Sequence, residues 1–353
     1  MVVALSALAL APAPRAVALP DRLSDQEFWR LITDLSEPPG YFQSDNLVSN
    51  ERFFQRVVPS LRRQRGRGAY LGVAPDQNFT FIAAVEPKIA FIVDIRRGNL
   101  DAHLMYKALF ELSADRAEFY GRLFSRPRPD GLGAMSGANE IIAAFADVPK
   151  NDALHKDNLR AIEDQLVKKH GWPLRDEDLR GIEYVYGMFA NFGPDITYQS
   201  SNANARWSLG NMPAFSELQV ATDADGRNRS YLANEDNFRI VKDLETRNLI
   251  VPVVGDFAGP KALRAVGTYV AAHESVIAAF YVSNVEQYLF QNDVWRKFYD
   301  NVATLPIDGE SVFIRSIKGR EVLDPIKSVL REVADGRVQT YPDLGLRVDS
   351  GLR

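Results

Sequence analysis

The chain has 353 residues and no cysteine. That absence excludes disulfides, thiolate metal sites and cysteine nucleophiles. Histidine is nearly as scarce. His103, His155, His170 and His273 lie far apart, with no HExxH pair or other ligand spacing, so no metal site is expected. Neither a GxSxG elbow nor a GxxxxGK[ST] loop occurs. Charge of one sign is also lacking: 42 Lys and Arg against 46 Asp and Glu leave a formal net charge of −4. Nucleic acid is therefore not an expected partner, and the Arg-rich run Leu61 to Arg67 reads as a solvated helix end. After the N-terminal stretch no segment is apolar for long enough to span a membrane.

What is present is an ordinary soluble composition, 46% apolar and 25% charged, in a chain able to bury a large core. The most informative stretch is 68–96. Tyr70, Leu71 and Val73 predict a strand, and Gly72 lets a backbone come close at its end. Asp76 can cap a helix beginning near Gln77, whose apolar face is Phe79, Ile82, Ala83 and Val85, and Pro87 stops it. Ile89 to Val93 form a continuous apolar run, as in a parallel strand covered on both faces, and Asp94 ends it. Gly72 to Asp94 is close to the spacing of about 20 residues between the glycine loop and the ribose-binding acid of dinucleotide folds. The full glycine fingerprint is absent, because Ala74 and Asp76 follow Gly72. A pyrophosphate would approach this loop poorly; an adenosine-containing ligand without phosphates fits better.

The rest of the chain alternates. Ser24 and Glu27 form a capping box opening a helix to Leu35, and the turn-rich loop Ser36 to Asn46 is placed to fold over a ligand. Ser49 to Glu51 can start a helix running toward Leu61. After a helical stretch through Leu112, residues 113–234 are mostly helical and irregular, with the polar stretch Thr197 to Asn204. They read as an insertion or lid. Helix Asn234 to Arg247, strand Leu249 to Val254, helix Pro260 to Ala272, strand Val276 to Val282, helix Trp295 to Val302 and strand Ser311 to Arg315 follow. The last part, a helix from Pro325 to Val333 and little more than one strand, is too short for a closing antiparallel hairpin. The expected fold is α/β, a doubly wound, mainly parallel, Rossmann-like sheet with a large helical insertion after the second strand. Polar residues end four strands: Gly72 to Asp76, Asp94, Asp256 and Asn284. Ligands of such sheets sit there.

In these residues the chain resembles the class I S-adenosylmethionine-dependent methyltransferases, over 45–100 and 235–320. It is also similar to a bacterial family of unassigned function, through Ser-Asp-Asn-Leu-Val-Ser-Asn-Glu, Val-Asp-Ile-Arg-Arg-Gly-Asn-Leu and Ser-Asn-Val-Glu-Gln-Tyr-Leu. The methyltransferase resemblance implies S-adenosyl-L-methionine as cofactor. Gly72, Ala74 and Asp76 would surround its methionine part, Asp94 would hold the ribose hydroxyls, and Asp256 and Phe257 would flank adenine. Asn284 would face the methyl group and the acceptor, with Glu286 and Tyr288 nearby. Glu286 or Glu51 would take a proton or orient the acceptor.

The first twenty residues, with an apolar run and Ala16-Val17-Ala18, read either as the end of a secretory leader or as a disordered Ala/Pro tail, ahead of one α/β domain over 21–353. Export and methyl transfer conflict, since the cofactor is made in the cytosol: a methyltransferase would be cytoplasmic, a protein with a cleaved leader periplasmic or secreted. The expected partner is a small-molecule ligand. The alternative function is a non-catalytic Rossmann-like binding or interaction protein. Nicotinamide-dependent oxidoreduction is the weakest reading, for want of pyrophosphate-binding glycines.

Overall fold

Apolar runs of four to seven residues become strands buried along nearly their whole length. These are β1 (Ala69–Gly72), β2 (Ile89–Asp94), β3 (Ile250–Val254) and β4 (Ile277–Ser283). The computed structural model describes residues 18–200, 212–317 and 319–349. The expected leader or tail therefore falls almost wholly outside the described residues, as does Ser201 to Asn204 of the polar stretch.

With β5 (Val312–Ile317) and β6 (Arg320–Pro325) the strands make one six-stranded sheet in the order β3-β2-β1-β4-β5-β6. β1 to β5 are parallel and β6 runs antiparallel to β5. The chain moves outward from β1 to β3, then crosses back to lay β4 beside β1, so the direction of winding reverses between β1 and β4. A crevice opens beyond the strand ends at such a reversal. The sheet is α/β and mostly parallel, as the alternation predicts. Continuous burial of β1 to β3 requires cover on both faces. Helices such as Gln77–Val85, Arg97–Leu112 and Ala262–Ala272 help to supply it.

Several local expectations hold. The capping box is formed: the Glu27 amide donates to Ser24 Oγ at 3.2 Å and the Ser24 amide to Glu27 Oε2 at 2.8 Å, opening Asp25–Leu35. Asn234 caps Glu235–Thr246 by accepting from the Asn237 amide. The connection from β2 to β3 carries the helices Arg97–Leu112, Arg116–Leu123, Asp152–Glu163, Asp176–Phe192 and Glu235–Thr246, among others.

Others need correction. The helix expected from Ser49 toward Leu61 is broken into a 3-10 turn, Phe54–Val57, and one α-turn, Val58–Leu61, with Pro59 at its start. The closing hairpin, judged too long for the remaining chain, exists as β5 and β6, because the turn takes only two residues. After Ile326–Ala334 the chain forms a helix, Tyr341–Asp349, where a strand was expected.

Candidate functional site

The loop after β1 is held first by Asn78. Asn78 Nδ2 donates to the carbonyls of Val73 at 2.8 Å, Ala74 at 3.3 Å and Pro75 at 2.7 Å, while its Oδ1 accepts from the Tyr70 hydroxyl at 2.8 Å. Gly72 makes room for this. A Cβ there would stand 2.0 Å from Asn78 Oδ1. Ala74 has φ +65°, a left-handed conformation that costs a non-glycine residue energy and is met at ligand-binding loops. A second clamp fixes it: His103, buried on Arg97–Leu112, places Nε2 3.0 Å from the Ala74 carbonyl. Burial lowers the His103 pKa to about 4, so the ring is neutral and its Nε2–H donates to the carbonyl.

Beyond the strand ends lies a cleft with about 980 Å³ of space, its open mouth included. Val73, Ala74 and Gln77 line it after β1, Asp94 and Arg96 after β2, Asp256 and Phe257 after β3, and Asn284 and Tyr288 after β4. The loop before β1 covers it with Tyr41, Phe42 and Asn46; the Phe42 and Tyr288 rings meet edge to face at 5.0 Å. Tyr198, from the polar stretch between β2 and β3, also reaches it.

Six of the nine expected residues thus converge: Ala74, Asp94, Asp256, Phe257, Asn284 and Tyr288. Three do not line the cleft. Gly72 sits beneath the loop and serves Asn78. Asp76 does not cap its helix through its side chain; it turns to the β2–β3 connection, accepting from Gln219 Nε2 at 2.9 Å and from the Tyr231 hydroxyl at 3.4 Å. Burial raises its pKa to about 7. Glu286 points into the protein, where Arg315 Nε and Nη2 donate to its two oxygens at 2.7 and 2.8 Å and the Tyr299 hydroxyl donates at 2.5 Å. Both members of the pair are buried, and Asp324 of β6 binds the same guanidinium at 2.6 Å.

Asp94 accepts from the Arg96 amide at 2.9 Å and pairs with the Arg96 guanidinium, which also donates to the Asp45 carbonyl. Asp256 takes the Ala258 amide at 2.9 Å, and its own amide donates to Glu37 at 2.8 Å. Sequence reasoning missed Arg96, Gln77 and Asn46. All three line the cleft; Gln77 Oε1 and Asn46 Oδ1 are buried without a hydrogen-bond partner, while Arg96 Nε faces Asp94 Oδ1 at 3.2 Å. Arg96 stands two residues after Asp94, the only signal that pointed to it. Among the described residues no group of three or more His, Asp or Glu is arranged to hold a metal ion. No helix among them is long and apolar enough to cross a membrane.

Residues 46–132 and 141–343 match the profile of a family described as a domain of unknown function, DUF7790. The chain belongs to that family. Its matched span takes in all six strands and nearly every residue of the cleft wall, Tyr41 and Phe42 apart. A search of the curated proteins finds no match.

Proposed function

We propose that the cleft binds S-adenosylmethionine and that the protein is a methyltransferase-like enzyme acting on a small molecule. The observation that carries the reading is the meeting of Asp94, Asp256, Phe257 and Asn284, from three different strand ends, on one cleft at the reversal of sheet winding. The donor set suits an adenosyl group. Asp94 would accept from the ribose hydroxyls, Asp256 from the adenine amine, and Phe257 would give the ring an apolar face. Unpartnered polar atoms of Asn46 and Gln77 are groups that a polar ligand would satisfy. The sheet order, with β6 antiparallel at the edge, is in keeping with the Rossmann-like methyltransferase architecture, and Tyr198 brings the β2–β3 connection to the cleft wall.

When bound, the cofactor supplies an electrophilic methyl group. The chain's own part is positional: the Asn78 and His103 clamps set the loop, Tyr41 and Phe42 shield the cleft from water, and Asn284 orients the acceptor. Holding reactants in line is a large source of acceleration in bimolecular transfers. Glu286 is withdrawn from any proton transfer by its pairing with Arg315, and Glu51 is the remaining carboxylate close by.

The experiment is a thermal shift with S-adenosylhomocysteine on the wild type, Asp94→Asn and Asp256→Asn. The wild type should be stabilised and each variant markedly less so. A shift undiminished in both variants would place the ligand elsewhere. A non-catalytic binding role predicts the same shifts without turnover, so methyl release from labelled cofactor separates the two.

A further inference from the structure

A second cavity, with about 900 Å³ of space including its mouth, adjoins the cleft and shares Asn50 and Asn284 with it. Glu51, Glu321 of β6, Gln287 and Tyr341 are in its wall. The partition between the two spaces is a directed chain of hydrogen bonds. Gln77 Nε2 donates to the Tyr281 hydroxyl at 2.5 Å, which donates to Glu51 Oε2 at 2.8 Å; Ser283 Oγ donates to Glu51 Oε1 at 2.5 Å. Gln77 Oε1, on a residue only 3% exposed, is left without a partner. Gln77 Oε1 and the two carboxylates are all acceptors.

Among the described residues no ion pair joins a cation to Glu51 or Glu321. Arg52 turns to Glu217 at 3.3 Å, and Arg56 lies over the Phe53 ring at 4.0 Å. Arg52 stands in the same wall and the Arg56 charge reaches Glu321, yet neither forms an ion pair with the two carboxyls; a ligand that donates hydrogen bonds and carries positive charge would supply one.

We propose that this cavity is the acceptor site of the enzyme and that it takes a small primary or secondary amine, bound as its ammonium ion against Glu51 and Glu321, one of which would take up the ammonium proton and so free the nitrogen lone pair for transfer. The assignment rests on the methyltransferase-like reading of the neighbouring cleft for the word acceptor, and on this cavity alone for the amine.

Burial and the charge of Glu51 lift the Glu321 carboxyl to about 8, and burial raises Glu51 as well. The groups facing the pair are Arg52 before the 3-10 turn, Arg56 within it, Tyr70 of β1, Tyr281 of β4 and Tyr341 of the last helix. At pH 7 Glu321 holds its proton. An ammonium ion favours the carboxylate, so binding expels the proton and tightens as pH rises through about 8.

The test is calorimetry on the full chain with methylammonium, ethanolamine and putrescine, against 1,4-butanediol and succinate, at matched ionic strength and pH 7. Titrations are repeated in two buffers of unequal ionisation enthalpy. At least one amine should bind with proton release, and the diol and diacid should not. Glu321→Gln should weaken the amine about tenfold, a loss of about 1.4 kcal/mol, and abolish proton release, with S-adenosylhomocysteine affinity unchanged. Glu51→Gln is read for amine affinity and proton release alone should Glu321→Gln not fold. Asp94→Asn should do the reverse, losing the adenosyl ligand and keeping the amine. The proposal is overturned if no amine binds to folded protein, if the diol or succinate binds as well, or if both carboxamide variants leave amine affinity and proton release intact. Amine binding without any adenosyl affinity would instead count against the cleft reading only.

Discussion

Glu286 shows how residue type and residue role come apart. In sequence it stands two places after Asn284, where a strand-end carboxylate would reach a substrate. In the fold it is held by Arg315 and Tyr299 in the protein interior, because β4 gives way at Ser283 to the helix Val285–Gln291, whose first turn points Glu286 inward. Removing one member of a buried ion pair strands the other charge, which costs about 3–5 kcal/mol. Glu286→Ala should therefore lower stability by that order in urea denaturation, as should Arg315→Met. A Glu286→Ala protein of unchanged stability would contradict the structural role. Gly72 is the counterpart at the loop after β1. A methyl group there meets Asn78 Oδ1, so Gly72→Ala must displace the clamp on three carbonyls. Overpacking of this kind costs about 1–3 kcal/mol, and the variant should also lose adenosyl affinity, measured by calorimetry. Asp94, Asp256 and Asn284 were legible because strand ends are marked by where an apolar run stops. The places of Asp76, Gly72 and Glu286 were not, since each depends on partners between 6 and 155 positions away that periodicity does not reveal.

At the scale of elements, the loop before β1 and the helix after β4 close the cleft together. The Glu37 carboxylate accepts the amides of Asp256 and Lys261, the Gly40 amide donates to the Ile95 carbonyl, and Phe42 packs on Tyr288. Tyr41, 85% exposed, marks the outer side of the loop. Tyr288→Ala removes the ring contact, and limited proteolysis should then cut within 38–46 faster than in the wild type. S-adenosylhomocysteine should slow that cleavage; equal rates in both proteins would remove the loop from the account. Strands β1 to β4 were readable as apolar runs, and most flanking helices from caps and spacing. β6 was not, because an edge strand in an antiparallel hairpin is polar on its exposed side and shows no apolar run. The helix Tyr341–Asp349 packs a small second cluster of Ile317, Val338 and Leu344, a contact beyond the reach of local pattern.

For the whole molecule, buried carboxyls give stability a pH signature. Burial lifts Asp76 to about 7, and Asp101, Glu245 and Glu321 to about 8, with like charges from Asp178, Glu111 and Glu51 adding to the last three in turn. The folded state keeps these protons where the unfolded chain, with carboxyls near their ordinary values, has lost them. Their contribution is full below about pH 4 and is lost as pH rises through 7 to 8. Glu111 and His103 act in the other direction. Hydrogen bonds from His170 and the charge of Lys107 outweigh burial and hold Glu111 down at about 2, and burial holds His103 at about 4. Their contributions are present above about 4.5 and 6.5 and are lost toward acid. Calorimetric Tm should thus fall as pH rises from about 6 to 8, level off above that, and fall at strongly acid pH. A Tm that rises over the alkaline interval would show that these carboxyls are not buried as described.

The central claim is that the cleft beyond β1 to β4 holds an adenosyl ligand. The direct measurement is isothermal titration of the folded chain with S-adenosylmethionine and S-adenosylhomocysteine, with NADH as the control. The account predicts saturable binding of the adenosyl ligands at one site per chain, weakened about 10–100-fold by Asp94→Asn through loss of a charge-assisted hydrogen bond, and no comparable binding of NADH. Absence of binding by both adenosyl ligands to folded wild-type protein would contradict it.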